Sequence, residues 1–161
     1  MIEFYYNIKH GISNLISWFK VIWNDRNWDY NYIYIVLRKK LDNTRKCIKK
    51  YQHHVYWERD YNDISKVIYA LDRLIKDDYY DMVFKQIEEE FGRLEFESKP
   101  LEGGCSSITF YRDKVDRNNE KEVERERKKS RAAHKRIDYL KKQDKMFVFN
   151  QMCKHIDSWW D

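Results

Sequence analysis

The chain has 161 residues, of which 42% are hydrophobic, 37% charged and 17% aromatic, with four glycines and one proline. That balance suits one domain, excludes collagen-like and Gly/Ser-linker chains, and argues against wholesale disorder. The formal net charge is only +5, and no run of about 18 apolar residues could span a membrane.

In chain order, Ile8, Ile12, Leu15, Ile16, Phe19 and Ile22 recur at helical spacing, which predicts an amphipathic helix over residues 3–23. Asn24, Asp25 and Asn27 favour a turn, and Asp29 can cap the next helix. From there Tyr30, Tyr34, Leu37, Leu41, Thr44, Ile48 and Tyr51 alternate steps of four and three, a heptad seam. Trp57, Tyr61, Ile64, Ile68, Leu71 and Ile75 repeat it, so two helices joined at Gln52–His54 should form an antiparallel pair. A shorter helix follows, with Tyr80, Phe84, Ile87 and Phe91 on one face and Gly92 as its stop. The period then changes. Leu94 and Phe96, and later Ile108 and Phe110, alternate with polar residues around a loop holding Pro100, Gly103 and Gly104. That is a hairpin with a long connection. Residues 116–136 are rich in helix formers but poor in apolar groups. Ile137, Leu140, Phe147, Phe149, Met152, Ile156 and Trp159 then restore a buried face. The fold expected is mainly α: an antiparallel helical bundle (1–92) with an inserted β-hairpin (93–113) and a long C-terminal helix (116–161), read as one domain.

Charge is segregated. Residues 38–50 carry seven basic side chains against one acidic, residues 72–97 nine acidic against four basic, and residues 116–136 nine basic against five acidic. Such segments can bind phosphates, dock acid to base on another copy, or simply solvate helix faces. Cys47, Cys105 and Cys153 show no metal or disulfide spacing, and the first residues lack a signal-peptide pattern, so a reducing cytosol is expected.

Phosphate-cradling, nucleophile-elbow, zinc-protease and deaminase motifs are all missing from the sequence, and the five histidines have no metal-ligand spacing, although the adjacent His53 and His54 could meet a carboxylate in space. We therefore expect no catalytic residues, no metal and no cofactor. Two clusters suit binding. In the first, Trp23, Trp28 and Tyr30 offer ring faces for base stacking and Arg26 a fork for phosphate. The alternative there is a capped corner, with both Trp packed as wedges and Arg26 paired to an acid. In the second, His53 and Tyr56 offer hydrogen bonds, and Lys50 and Arg59 offer charge. The alternative is an ordinary inter-helix turn with surface ion pairs. Weaker candidates are a backbone nest at Gly103–Ser107, a basic run at Arg127–Arg136, and the terminal Trp159-Trp160-Asp161, which favours core docking or a subunit contact.

WNDRNWDYNYI, HHVYWERD, LEF with GGCSSITF, and RIDYLKKQDKMFVFNQMCKHIDSWWD together resemble a widespread family of small tailed-phage proteins. In that family a W-x-D-R-D-W-D-Y stretch opens the second helix, an H-x-x-Y-x-x-R-like stretch follows, and the chain ends I-x-x-W-W-D. Asn27 departs from the family's Asp, so no capping or hydrogen-bonding role is carried to it. The resemblance implies a phage anti-defence protein of the anti-CBASS sponge type. Such a protein is a homotetramer in the host cytoplasm that sequesters a cyclic di- or trinucleotide signal without cleaving it. No site residue comes from the resemblance; Trp23, Arg26, Trp28, Tyr30, Lys50, His53, Tyr56 and Arg59 are assigned by side-chain chemistry. The competing reading is a phage protein that binds a host protein or nucleic acid through its basic helices. The interleaved acids of residues 116–136 make general nucleic-acid binding less attractive.

Overall fold

In chain order the elements are α1 (Ile2–Asn24), α2 (Asn31–Tyr51), α3 (Trp57–Lys76), α4 (Tyr79–Phe91), β1 (Leu94–Pro100), β2 (Ser106–Arg112) and α5 (Glu120–His155). The structure is a computed structural model and describes residues 2–101 and 104–159. It is mainly α, with one two-stranded antiparallel hairpin and a long C-terminal helix, as the patterning predicts. No helix is long and apolar enough to cross a membrane among the described residues. Packing divides the chain into two compact units. One runs to Lys76 and resumes at Lys145, and the other is Asp77–Asp144.

In the first unit α2 and α3 lie antiparallel. Arg38 pairs with Asp72, the Arg45 guanidinium donates to Ser65 Oγ at 3.3 Å, and the Lys49 ammonium sits 5.5 Å from the Tyr61 ring centre. Tyr34, Leu41 and Ile48 meet Ile64, Ile68 and Leu71 in the core, because a 4–3 alternation keeps one stripe of each helix against the other. α3 is buried over a wider arc than its seam predicts. Val67, Ala70 and Leu74 are also buried, and Val148 and Trp159 complete the same cluster. Trp159 thus docks into a core; Trp160 and Asp161 lie outside the described residues. On α5 Val148 is buried in this cluster and Phe147 and Met152 pack against it, as expected for Phe147 and Met152, whereas Phe149, next to Val148, faces solvent and Ile156, just past the helix end, is exposed too. The outermost seam positions, Tyr30 and Tyr51, are likewise exposed. Tyr30 precedes the first turn of α2 and, in the register of these pairs, falls beyond the end of α3, whereas Tyr51 ends the last turn beside the first turn of α3 and stacks on His53. Gln52 closes α2 in the left-handed conformation (φ 49°), its N–H donating to the Ile48 carbonyl at 2.9 Å.

Asp42 on α2 accepts from Lys46 and from Arg45, each at 2.7 Å. The Lys46 hydrogen bond, helped by Arg45, holds its carboxyl below the usual carboxylate value. A depressed folded-state value adds stability above the unfolded value of about 4, which is lost as the pH falls through the folded one. Thermal melts are therefore expected to show less acid destabilisation below about pH 4 in Asp42→Asn than in the parent, by no more than about 1 kcal/mol.

In the second unit α4 buries Phe84, Ile87 and Phe91 against Ala133 and Ile137 of α5. Tyr79 also turns inward, its hydroxyl donating to the Asp144 carboxylate. Tyr80, expected on that face, lies outside and stacks on Phe84 with ring centres 4.2 Å apart. The Asp144 anchor that draws Tyr79 in is a polar contact, invisible to apolar periodicity. The hairpin register pairs Phe96 with Phe110 and Ser98 with Ile108. Segregated charge is used within the chain: Glu90 takes both Arg125 and Lys129, and Glu97 takes Arg117. α5 starts at Glu120, not at 116. Asp116 Oδ1 accepts from Asn118 N, and Asn119 Oδ1 from Glu122 N, so both side chains cap the turn before the helix.

Candidate functional site

The α1–α2 junction presents its rings to solvent. Trp23 is 70% exposed and Trp28 82% exposed, with Tyr30 open beside them. Trp23 leans on Phe19, ring centres 5.3 Å apart, and keeps its other face free. Arg26 folds back on its own turn, donating to the Asp25 carbonyl at 2.9 Å and the Trp23 carbonyl at 3.4 Å. The packed-corner alternative fails here, since neither Trp is a wedge and Arg26 has no carboxylate partner among the described residues. Its capping half holds, because Asp29 Oδ1 accepts from Asn31 N at 2.9 Å.

The α2–α3 junction pairs aromatic faces with cations. His53 stacks on Tyr51 at 5.1 Å, and the Lys50 ammonium lies 4.7 Å over that ring while donating to its hydroxyl at 3.1 Å. This hydrogen bond keeps Lys50 above the ordinary lysine value. Arg59 sits 4.8 Å over Tyr56. The expected meeting of the His53–His54 pair with a carboxylate occurs beneath them, through His54, although the sequence did not say which carboxylate. Asp60 is 2% exposed and accepts from Arg59 Nε and from His54 Nε2, each at 2.9 Å. His54, not His53, is therefore the structural histidine. Its partner lies six residues on, across a turn, a spacing with no sequence signature.

Within one chain the eight candidates do not converge. Trp23, Arg26, Trp28 and Tyr30 lie at one end of α2, and Lys50, His53, Tyr56 and Arg59 at the other. With 21 residues between the ends, they are separated by about 30 Å at 1.5 Å rise per residue.

The second unit holds recesses that the sequence did not single out. One, of about 210 Å³, lies between β2 and the start of α5 and is lined by Phe110, Arg112, Arg117, Glu126 and Arg127. Arg112 is 3% exposed; its Nη1 donates to the Gly92 carbonyl at 2.9 Å and its Nε lies 3.4 Å from Glu126. Arg117 stacks 3.3 Å over Tyr111. A shallow groove of about 880 Å³ adjoins it along α5, lined by Arg117, Lys121, Arg125, Arg127 and Lys128 against Glu120 and Glu124. Of the basic run read from sequence, Arg127 and Lys128 line these two, while Lys129 and Arg136 line a third recess of about 560 Å³ between α4 and α5. In the proposed nest, Gly103 lies outside the described residues, while Ser106 and Ser107 belong to β2. The three cysteines are free thiols. Among the described residues no three His, Cys, Asp or Glu side chains gather to hold a metal ion. No family model, curated protein or solved structure matches the chain.

Proposed function

We propose that this protein is a non-catalytic binder that sequesters cyclic di- or trinucleotides, the role its resemblance to tailed-phage proteins implies. One observation carries the reading: open aromatic faces stand beside cations at both ends of α2. Rings that stack bases contribute about 1–3 kcal/mol each, and guanidinium and ammonium groups supply phosphate contacts. The length of α2 means that a pocket using both clusters draws them from different copies, so the binder works as a homo-oligomer, a tetramer by the resemblance. It acts in the cytoplasm of an infected host, and its action is stoichiometric because the free signal must fall below the effector's dissociation constant.

Adding 3′,3′-cyclic GMP–AMP is expected to raise the melting temperature in step with the logarithm of its concentration, and heating the complex should return the ligand intact to a mass spectrometer. No shift across a panel of cyclic di- and trinucleotides removes the reading. Cleaved ligand replaces it with a nuclease.

A second reading rests on the groove along α5, lined by five cations and two carboxylates, with Arg117 and Arg125 already paired to Glu97 and Glu90. A polyanionic partner, nucleic acid included, bound there would show an affinity falling steeply with salt.

A further inference from the structure

α1 is built for a partner that one chain does not supply. Tyr5, Ile8, Ile12, Leu15, Phe19 and Ile22 follow one another in steps of three and four over the whole helix. This is the 3.5-residue repeat of a helix that packs along another helix. All six are 47–68% exposed. Phe4, Ile16 and Trp23 flank the seam and are open as well. In contrast, Trp18 and Val21, off the seam, are partly buried. Most helical stability in proteins comes from packing an amphipathic face, and leaving this apolar stripe open gives up that burial.

We infer that the α1 seam is the interface between copies of this chain, each copy's α1 packing along that of another. The area fits. Free side chains of this size present on the order of 150 Å² or more, so nine of them half to three-quarters open leave roughly 1,000 Å² per copy. That exceeds the about 800 Å² per partner of a standard interface and the apolar patches ordinary monomers tolerate. The seam with its flanks is wider than a strict two-helix stripe, which suits a bundle of more than two helices. A lipid surface fits less well. Helices lying on membranes carry many Lys and Arg on the polar face, whereas the face opposite this seam holds Ser13, Ser17, Asn14 and His10, and the helix has only Lys9 and Lys20 against Glu3. The inference stands without any nucleotide, but it sets Trp23 at the edge of the contact and so places the first aromatic cluster beside a neighbouring copy.

Light scattering on the ligand-free full chain is expected to give a multiple of 20.2 kDa throughout the micromolar range. Leu15→Glu should reduce it to the single-chain mass, and Phe19→Glu, one turn away, should do the same. Both side chains are open to solvent in the single chain, so the α2–α3 core and its far-ultraviolet helical signal should persist. Val55→Glu, at an equally apolar but off-seam position, should leave the assembly whole. A parent protein of single-chain mass overturns the inference, as does an assembly that survives both seam substitutions. Flotation with phosphatidylglycerol vesicles by a protein that is single in solution overturns it in favour of a lipid surface. None of these outcomes depends on whether a cyclic nucleotide binds.

Discussion

Gly92→Ala is expected to cost about 3–5 kcal/mol, a fall in melting temperature of roughly 10 °C for a chain of this size. Gly92 ends α4 with φ 83° and ψ −175°, a region essentially closed to residues with a Cβ. A Cβ there would lie 1.5 Å from Asp113 Oδ1 and 2.9 Å from Lys114 Cγ. The Asp113 carboxylate is not free to swing away, because it accepts from Arg93 N at 3.0 Å. Around the same residue, Arg112 holds the Gly92 carbonyl and Lys114 N donates to the Phe91 carbonyl at 3.3 Å. The glycine thus lets the end of α4 and the base of the hairpin close on each other. Repeating the substitution in an Asp113→Ala background separates the causes. The clash with Asp113 disappears there and the flexible Lys114 side chain can give way, so the remaining loss should shrink towards the backbone strain, about 1–3 kcal/mol. An unchanged penalty would show that Asp113 plays no part.

Gly92 also marks what sequence can and cannot disclose. Its position as a helix stop was legible, since a glycine after an apolar stripe is a strong C-terminal signal. The α2–α3 pair was legible for a similar reason: both helices bury one stripe, and local spacing encodes that stripe. What escaped were contacts set by the third dimension. Tyr79 replaces Tyr80 in the interior through Asp144, and Val148 replaces Phe149, because periodicity fixes a face only to within about one residue when both neighbours are apolar. The candidate site divides along the same line. Sequence picks out aromatic and basic side chains, and the structure leaves Trp23, Trp28, Tyr30 and Tyr56 open as a binding surface needs. Sequence distance says nothing of where the two clusters fall on a straight helix, so their separation along α2 emerges only from the fold. Asp60, which neutralises one of the cations, was hidden for want of any motif linking it to His54. The basic run of α5 shows the converse. Its charges are conspicuous in sequence, yet Arg125 and Lys129 are committed to Glu90.

Asp60→Ala is expected to lower stability by about 3 kcal/mol, because removing one member of a buried charged group strands the others. His54 would lose its acceptor while remaining largely buried, whereas the half-exposed Arg59 could turn to water. Asp60→Asn keeps the volume and one acceptor oxygen, so its penalty should be about half as large. The two substitutions share a second consequence with the opposite sign. In the native chain the negative charge of Asp60 offsets that of Arg59 at 2.9 Å. Neutralising Asp60 leaves the guanidinium uncompensated beside Tyr56. If Arg59 contacts a phosphate of the bound nucleotide, Asp60→Asn should then bind it several-fold more tightly, on the order of 1 kcal/mol for one charge near a solvated surface. Melting and titration calorimetry on the same variant would read both effects. Lower stability with tighter binding assigns Arg59 to the ligand, and lower stability with unchanged affinity confines the His54–Asp60–Arg59 group to holding the start of α3.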